Sequence, residues 1–121
     1  MKINLATFGE DQAAKHLTSK GYAIIERNYH SPYGEIDIIC SKNDELVLVE
    51  VKARRSHNFG EPLDAVTESK RQKIIKTAYH YLAKKEIDMP IRFDIITLDY
   101  DKNAKDYILR HIENAFLGED Y

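Results

Sequence analysis

Between residues 35 and 53 the chain runs through two stretches rich in Ile and Val, 35–41 and 45–53, parted only by Lys42-Asn43-Asp44. Such runs form strands, and Asn-Asp tolerates the positive φ that a tight hairpin needs. With Asn43-Asp44 as a two-residue loop, facing residues have numbers that sum to 87. Asp37 then faces Glu50, and Glu35 faces Lys52. Side chains alternate along a strand, so these four share one sheet face. Ile36, Ile38, Val47, Val49 and Val51 take the opposite face, while Ile39, Leu46 and Leu48 continue the first.

Like charges directly opposed across two strands are destabilising. Two carboxylates in the middle of apolar strands therefore require a compensating charge, and a hard divalent cation supplies one. Mg²⁺ takes one or two carboxylates together with water and substrate phosphate. Lys52 points the same way as Glu50, where its ammonium can position a water or stabilise developing negative charge. The plainer alternative is a solvated face carrying a Glu35–Lys52 cross-strand ion pair. Glu10 adds weight to the first reading. It falls on the apolar face of a helix with Ala6, Ala13, Ala14 and Leu17, where a carboxylate is rarely buried without a partner. That helix, packed on the sheet, could bring Glu10 to Asp37 and Glu50.

The helix spans residues 4–20, capped by Asn4 and stopped by Gly21. Residues 22–30 read as a strand, and Pro32-Tyr33-Gly34 as a turn. A loop over 54–66 leads to Thr67, which caps a helix running to about Lys85 with Ile74, Ile75, Ala78, Tyr81 and Leu82 inside. Tyr79 and Tyr81 could stack on bases, with core packing favoured for Tyr81. Strands follow at 91–98 and 106–112, the first opening with Arg92 and Asp94 as a structural ion pair. The order is αβββαβ(β). The crossover through the second helix makes the strands before and after it parallel. The expected architecture is an α/β fold with a central mixed sheet flanked by helices.

The 121 residues suit a single domain, 1–121. One cysteine, Cys40, excludes an internal disulfide and reads as a small buried residue. No apolar run is long enough for a membrane span, and the start of the chain has no signal-peptide core, so the expected compartment is the cytoplasm. The five histidines lack paired zinc spacing. Net charge is −2, yet residues 52–85 carry nine Lys/Arg against Glu61, Asp64 and Glu68, a local +6 that leaves −8 elsewhere. A basic patch on an otherwise acidic chain is the footprint of a polyanion partner. Arg54, Arg55, Lys70, Arg71 and Lys73 are its candidate nucleic-acid contacts, the two arginines by virtue of following Lys52.

Asp37 followed by Glu50-Val51-Lys52 resembles the D…(D/E)-x-K signature of the restriction-endonuclease-like superfamily. A longer series resembles one branch of it, the YraN-like family of small uncharacterised bacterial proteins, related to archaeal Holliday-junction resolvases. The series comprises Gly9-Glu10, Gly21-Tyr22, Arg27-Asn28-Tyr29, Gly34-Glu35-Ile36-Asp37-Ile38, Leu48 through Arg54, Phe59-Gly60, Ala65-Val66, Lys70, Pro90 through Asp94, and Asn114-Ala115-Phe116. The resemblance implies a restriction-endonuclease-like αβββαβ core. It makes Asp37 and Glu50 metal ligands, Lys52 the catalytic lysine and Glu10 an extra helix carboxylate serving catalysis and metal alike. The superfamily often has Pro before the first Asp, where this chain has Ile36. The expected function is a Mg²⁺- or Mn²⁺-dependent endonuclease acting on nucleic acid, DNA ahead of RNA and branched DNA among its forms. The alternative is a non-catalytic nucleic-acid-binding or assembly protein that keeps the nuclease fold. Resolvase kinship also brings a homodimer into view, although no patch in the sequence identifies its interface.

Overall fold

Asn43 and Asp44 both adopt left-handed backbone, with φ of 53° and 62°. Two successive positive φ angles match the right-handed twist of the flanking strands. Lys42 accordingly faces Glu45, and the pairing runs back through Ile38 and Val49 in the expected register. The fold comes from a computed structural model that describes residues 4–55, 62–101, 103 and 105–118. Phe59-Gly60, His57 and the tail Glu119-Asp120-Tyr121 lie outside these. In chain order the elements are α1 (Leu5–Ser19), β1 (Ala23–Ser31), β2 (Gly34–Lys42), β3 (Glu45–Arg55), a 3-10 turn (Pro62–Ala65), α2 (Glu68–Lys85), β4 (Ile91–Asp101) and β5 (Asp106–Phe116). This is the expected αβββαβ series with β5 added at the edge.

The five strands lie in sequence order, β1-β2-β3-β4-β5. Only β3 and β4 are parallel, as the α2 crossover requires. Asn4 caps α1 by accepting from the Thr7 N–H at 3.2 Å, and Thr67 caps α2 by accepting from Lys70 N–H at 3.2 Å. Gly21 (φ 91°) turns the chain out of α1. The strand at 106–112 extends further than its sequence pattern suggests, to Phe116, past Asn114 in left-handed conformation (φ 52°). Among the described residues no helix is long and apolar enough to cross a membrane.

Each helix covers one face of the sheet. Ala13 and Leu17 of α1 pack on Ile38, Cys40, Val47, Val49 and Ile96. Ile74, Ile75, Ala78 and Tyr81 of α2 pack on Ile36, Ile39, Leu46, Leu48, Phe93 and Ile95. Cys40 and Tyr81 are buried as expected, whereas Tyr79 is exposed. Ile36 departs from the expected alternation by joining the α2 side. Its partner Tyr29 also packs on Tyr81, while the next pair, Arg27 and Ile38, faces α1. Residues two apart normally share a face. Here the left-handed backbone of Asn28 (φ 55°) lies between the two pairs. Asp37 sits opposite this irregularity, where β2 changes face.

Gly9 is the point where α1 comes closest to the sheet. A Cβ there would lie 2.7 Å from Ala53 Cβ. Gly9→Ala would gain up to ~1 kcal/mol of helix propensity. The clash should outweigh it, because overpacking costs ~1–3 kcal/mol. The melting temperature of Gly9→Ala is therefore expected to fall, and Ala53→Gly in the same chain to restore it. A melting temperature equal to or above wild type in the single variant would show that α1 is not held against β3 as described.

Candidate active site

β2 and β3 are paired as far as Ile38 and Val49 and then part. Asp37 lies just beyond the last pair on β2, and Glu50 just beyond it on β3. The Asp37 carboxylate fills part of the gap, its Oδ2 accepting from the Val51 N–H at 2.8 Å. It thereby satisfies a backbone donor that regular pairing would have served. Glu50 points to the α2 side and is only 8% exposed. Its Oε2 lies 3.5 Å from Lys70 Nζ on α2. Its Oε1 is buried with no hydrogen-bond partner among the described residues. Burial, and then the neighbouring Asp37 carboxyl, push the Glu50 carboxyl up to about 8, against the opposing pull of Lys70. Burial and the Asp37 carboxyl penalise the charged form, and the Lys70 ammonium offsets only part of that penalty.

Lys52 lies two residues further along β3, exposed and level with Thr97 of β4. Strand alternation places it on the Glu50 side. Asp37, Glu50 and Lys70 are gathered at one place, with Lys52 further along the same face of β3. Glu35 does not complete the expected block of four. The strands have already separated, and Glu35 instead faces His30 on β1, with Oε2 3.2 Å from His30 Nδ1.

Glu10 is held elsewhere. Its Oε1 lies 3.3 Å from Arg27 Nε, and Arg27 also binds Asp11 at 2.7 Å. The physical reason is the division of faces: α1 covers Ile38, Val47 and Val49, whereas Glu50 alternates onto the side of α2. Among the described residues no three His, Cys, Asp or Glu side chains gather as a ready-made cage. The acidic component of the site is thus the pair Asp37 and Glu50. Two carboxylates leave most of a hard cation's coordination to water and phosphate, as Mg²⁺ prefers. The unpartnered Glu50 Oε1 fits that role.

The basic candidates divide into two groups. Lys70 reaches Glu50, and Lys73, one turn further along α2, is exposed. Arg54 and Arg71 are occupied with the fold. Arg54 Nε donates to Asp99 Oδ1 at 2.7 Å, and the fully buried Asp99 also receives Arg110 at 2.8 Å. Arg71 donates to the Leu63 and Val66 carbonyls at 2.8 and 3.1 Å, tying the 3-10 turn to α2. Arg55 is exposed at the end of β3. Sequence spacing gave no sign of Asp99, whose partners come from β3 and β5.

A second buried acid, Asp94, is likewise satisfied. It receives two bonds from Arg92 (2.9 and 2.8 Å), one from His111 Nε2 (2.8 Å) and one from the Asn114 N–H (2.9 Å). Burial alone would raise its carboxyl, but the bonds from His111, Arg92 and Asn114 outweigh it and hold the group below the usual carboxylate range. The expected Arg92–Asp94 ion pair is therefore the centre of a larger network that includes Tyr22.

The raised Glu50 carboxyl gives a test in chelator. Its folded value lies above its unfolded one, so the associated stability is fully present below about 4.5 and is lost as pH rises through about 8. Glu50→Gln removes that titration. At pH 9 with EDTA the variant should be more stable than wild type by on the order of 2 kcal/mol, or several degrees of melting temperature. At pH 4 the two should nearly coincide. A variant less stable than wild type at pH 9 would mean that the Lys70 ion pair outweighs the burial of charge.

Comparison with known proteins places the chain among others. The sequence profile described as "Uncharacterised protein family UPF0102" matches residues 9–98. A UPF0102 protein of Phocaeicola vulgatus is 45% identical over 108 residues, covering 89% of this chain and 88% of that protein. One of Syntrophomonas wolfei is 45% identical over 118 residues, covering 96% of this chain and all of its own length (100%). One of Thermodesulfovibrio yellowstonii is 41% identical over 115 residues, covering 95% and 97%. A solved structure of Pyrococcus furiosus SfsA in complex with Ca²⁺ superposes with a TM-score of 0.43 at 13% identity, over 88% of this chain and 63% of that one. The chain belongs to the uncharacterised protein family UPF0102.

Proposed function

We propose that this protein is a divalent-metal-dependent nuclease that hydrolyses phosphodiester bonds at the Asp37–Glu50 pair. The observation that carries the proposal is the buried Glu50 Oε1, left without a partner among the described residues, beside a second carboxylate where β2 and β3 part. Asp37 and Glu50 would hold a Mg²⁺ or Mn²⁺ ion between them. When bound, such an ion polarises a phosphoryl oxygen and offsets the charge that develops during displacement.

The chain's own groups do the rest. Asp37 keeps its orientation through the Val51 N–H, which fixes one carboxylate oxygen and leaves the other for ligation. Lys52, exposed at the rim, can hold the attacking water by hydrogen bonding and stabilise charge in the transition state. Lys70 and Lys73 present ammonium groups along α2 for the phosphates on either side of the scissile bond. Glu10 enters as support: it braces Arg27, whose strand partner Ile38 adjoins Asp37. Nucleic acid is the substrate class favoured by the local +6 of residues 52–85, and an open basic surface suits a polymer better than a small ester.

Cleavage assays should cover single-stranded, duplex, flapped and four-way DNA and RNA with Mg²⁺ and with Mn²⁺. Asp37→Asn and Lys52→Ala should each lower cleavage by about a hundredfold or more. Lys52→Ala should retain ion binding, since its role lies in the transition state. Glu10→Ala should lose several-fold at most. Binding should weaken steeply with salt, and Lys73→Glu should weaken it on every sequence alike. Equal cleavage by wild type and Asp37→Asn would expose a contaminant. No cleavage by wild type on any substrate would favour a binding or assembly protein that keeps the fold.

A further inference from the structure

Beside the proposed site, sharing Lys70 and Lys73 with it, lies a cleft whose other walls the hydrolytic machinery does not use. It holds about 400 Å³ between the β1–β2 turn and α2, and His30, Tyr33, Glu35, Lys70 and Lys73 contribute to its walls. Lys70 belongs to both places, because it also reaches Glu50. Tyr33, at the tip of the turn, is 52% exposed beside the two lysines of the cleft. The turn beneath it is rigidly fastened. Ser31 Oγ lies 3.0 Å from Thr77 Oγ1, the Tyr33 N–H donates to Ser31 Oγ at 3.0 Å, and Tyr29 Oη lies 2.9 Å from His80 Nδ1. Gly34 (φ 152°) lets the turn close on α2, where a Cβ would lie 3.4 Å from Lys73 Cβ. The Tyr33 and His80 rings meet in a T-shaped arrangement, at 6.2 Å between centroids and 70° between planes.

We infer that Tyr33 is a stacking platform for an unpaired base of the nucleic-acid substrate, with Lys70 and Lys73 gripping the adjoining phosphates. The inference rests on the nuclease reading and names the feature of the substrate that the site selects. A ring held by a fastened turn and exposed on one side loses little freedom when a base stacks on it. A base inside a duplex cannot reach the ring, because its faces are already covered by its neighbours. A single strand, a flap or the opened arm of a junction presents a free face. Glu35 on the wall lies 3.2 Å from His30 Nδ1. The cleft is at the small end of ligand sites, roughly 300–1,000 Å³. It suits one splayed base, with the rest of the strand running along α2 towards Glu50.

The chain has no tryptophan, so Tyr33→Trp introduces a single fluorescent indole at the platform. The titration uses a short oligothymidylate strand and a blunt duplex, in EDTA, where no cleavage is expected. The strand should quench the indole saturably, and the duplex should leave its emission unchanged even when anisotropy shows it bound. Tyr33→Ala should weaken strand binding about tenfold, the size of one lost stack. Tyr33→Phe should restore it, and neither change should alter duplex affinity. The exposed position of Tyr33 keeps all three variants folded, which far-ultraviolet circular dichroism checks. Strand binding without quenching, or equal loss on strand and duplex in Tyr33→Ala, overturns the platform. So does the absence of any strand binding. None of these outcomes bears on metal binding or cleavage, which are read separately with Asp37→Asn.

Discussion

A buried carboxylate with an unsatisfied oxygen is the feature around which the site is organised. Glu50 stands in β3 between Val49 and Val51, flanked by apolar residues on both sides of the sheet. The neighbouring Asp37 carboxyl adds to the cost of charging Glu50, through a side-chain hydrogen bond to its protonated form and through its own charge. The strands separate at this point, and Asp37 Oδ2 accepts from the Val51 N–H. Lys70 leans in from α2 at 3.5 Å, a loose and partly solvated contact that offsets only part of the charge.

The chain's other buried acids show that this deficit is not general. Asp94 has four hydrogen bonds and Asp99 is met by two arginines, each from a different strand. Both lie in β4 and both carboxylates are compensated, although Thr97 Oγ1 in the same strand is, like Glu50 Oε1, buried without a hydrogen-bond partner among the described residues. An unpartnered buried polar atom costs more than a formed hydrogen bond gains. Leaving Glu50 incomplete while satisfying the buried carboxylates Asp94 and Asp99 is coherent if its missing partner is a ligand. The turn-and-helix cleft fits the same picture. It extends from Lys70, so an occupant of the cleft lies against the residue that touches Glu50.

Much of this was legible in the sequence because it depended on local rules. The Asn43-Asp44 turn fixed the register, both helix caps were readable, and the crossover through α2 required β3 and β4 to be parallel. The sum of residue numbers brought Asp37 and Glu50 together correctly. It did not reveal that the ladder ends there, since an alternation rule contains no term for charge repulsion or for the left-handed Asn28 opposite. Nor could periodicity tell which helix covers which face. Glu10 and Glu50 both looked inward, but they look inward from opposite sides of the sheet, and Glu10 finds Arg27. Arg54 reads as a phosphate contact because it follows Lys52, and Arg71 because basic residues cluster in the sequence. Their true partners, Asp99 and the Leu63 and Val66 carbonyls, depend on tertiary placement.

The central claim is that Asp37 and Glu50 together form a site for one hard divalent cation. Calorimetric titration of Mn²⁺ into the wild-type protein at neutral pH tests it most directly, with Asp37→Ala and Glu50→Ala titrated alongside. Wild type should show a saturable binding heat and a thermal stability that rises with Mn²⁺ concentration by mass action. Each variant should lose both while remaining folded. Unchanged Mn²⁺ binding in both variants, or no binding by wild type, would contradict it.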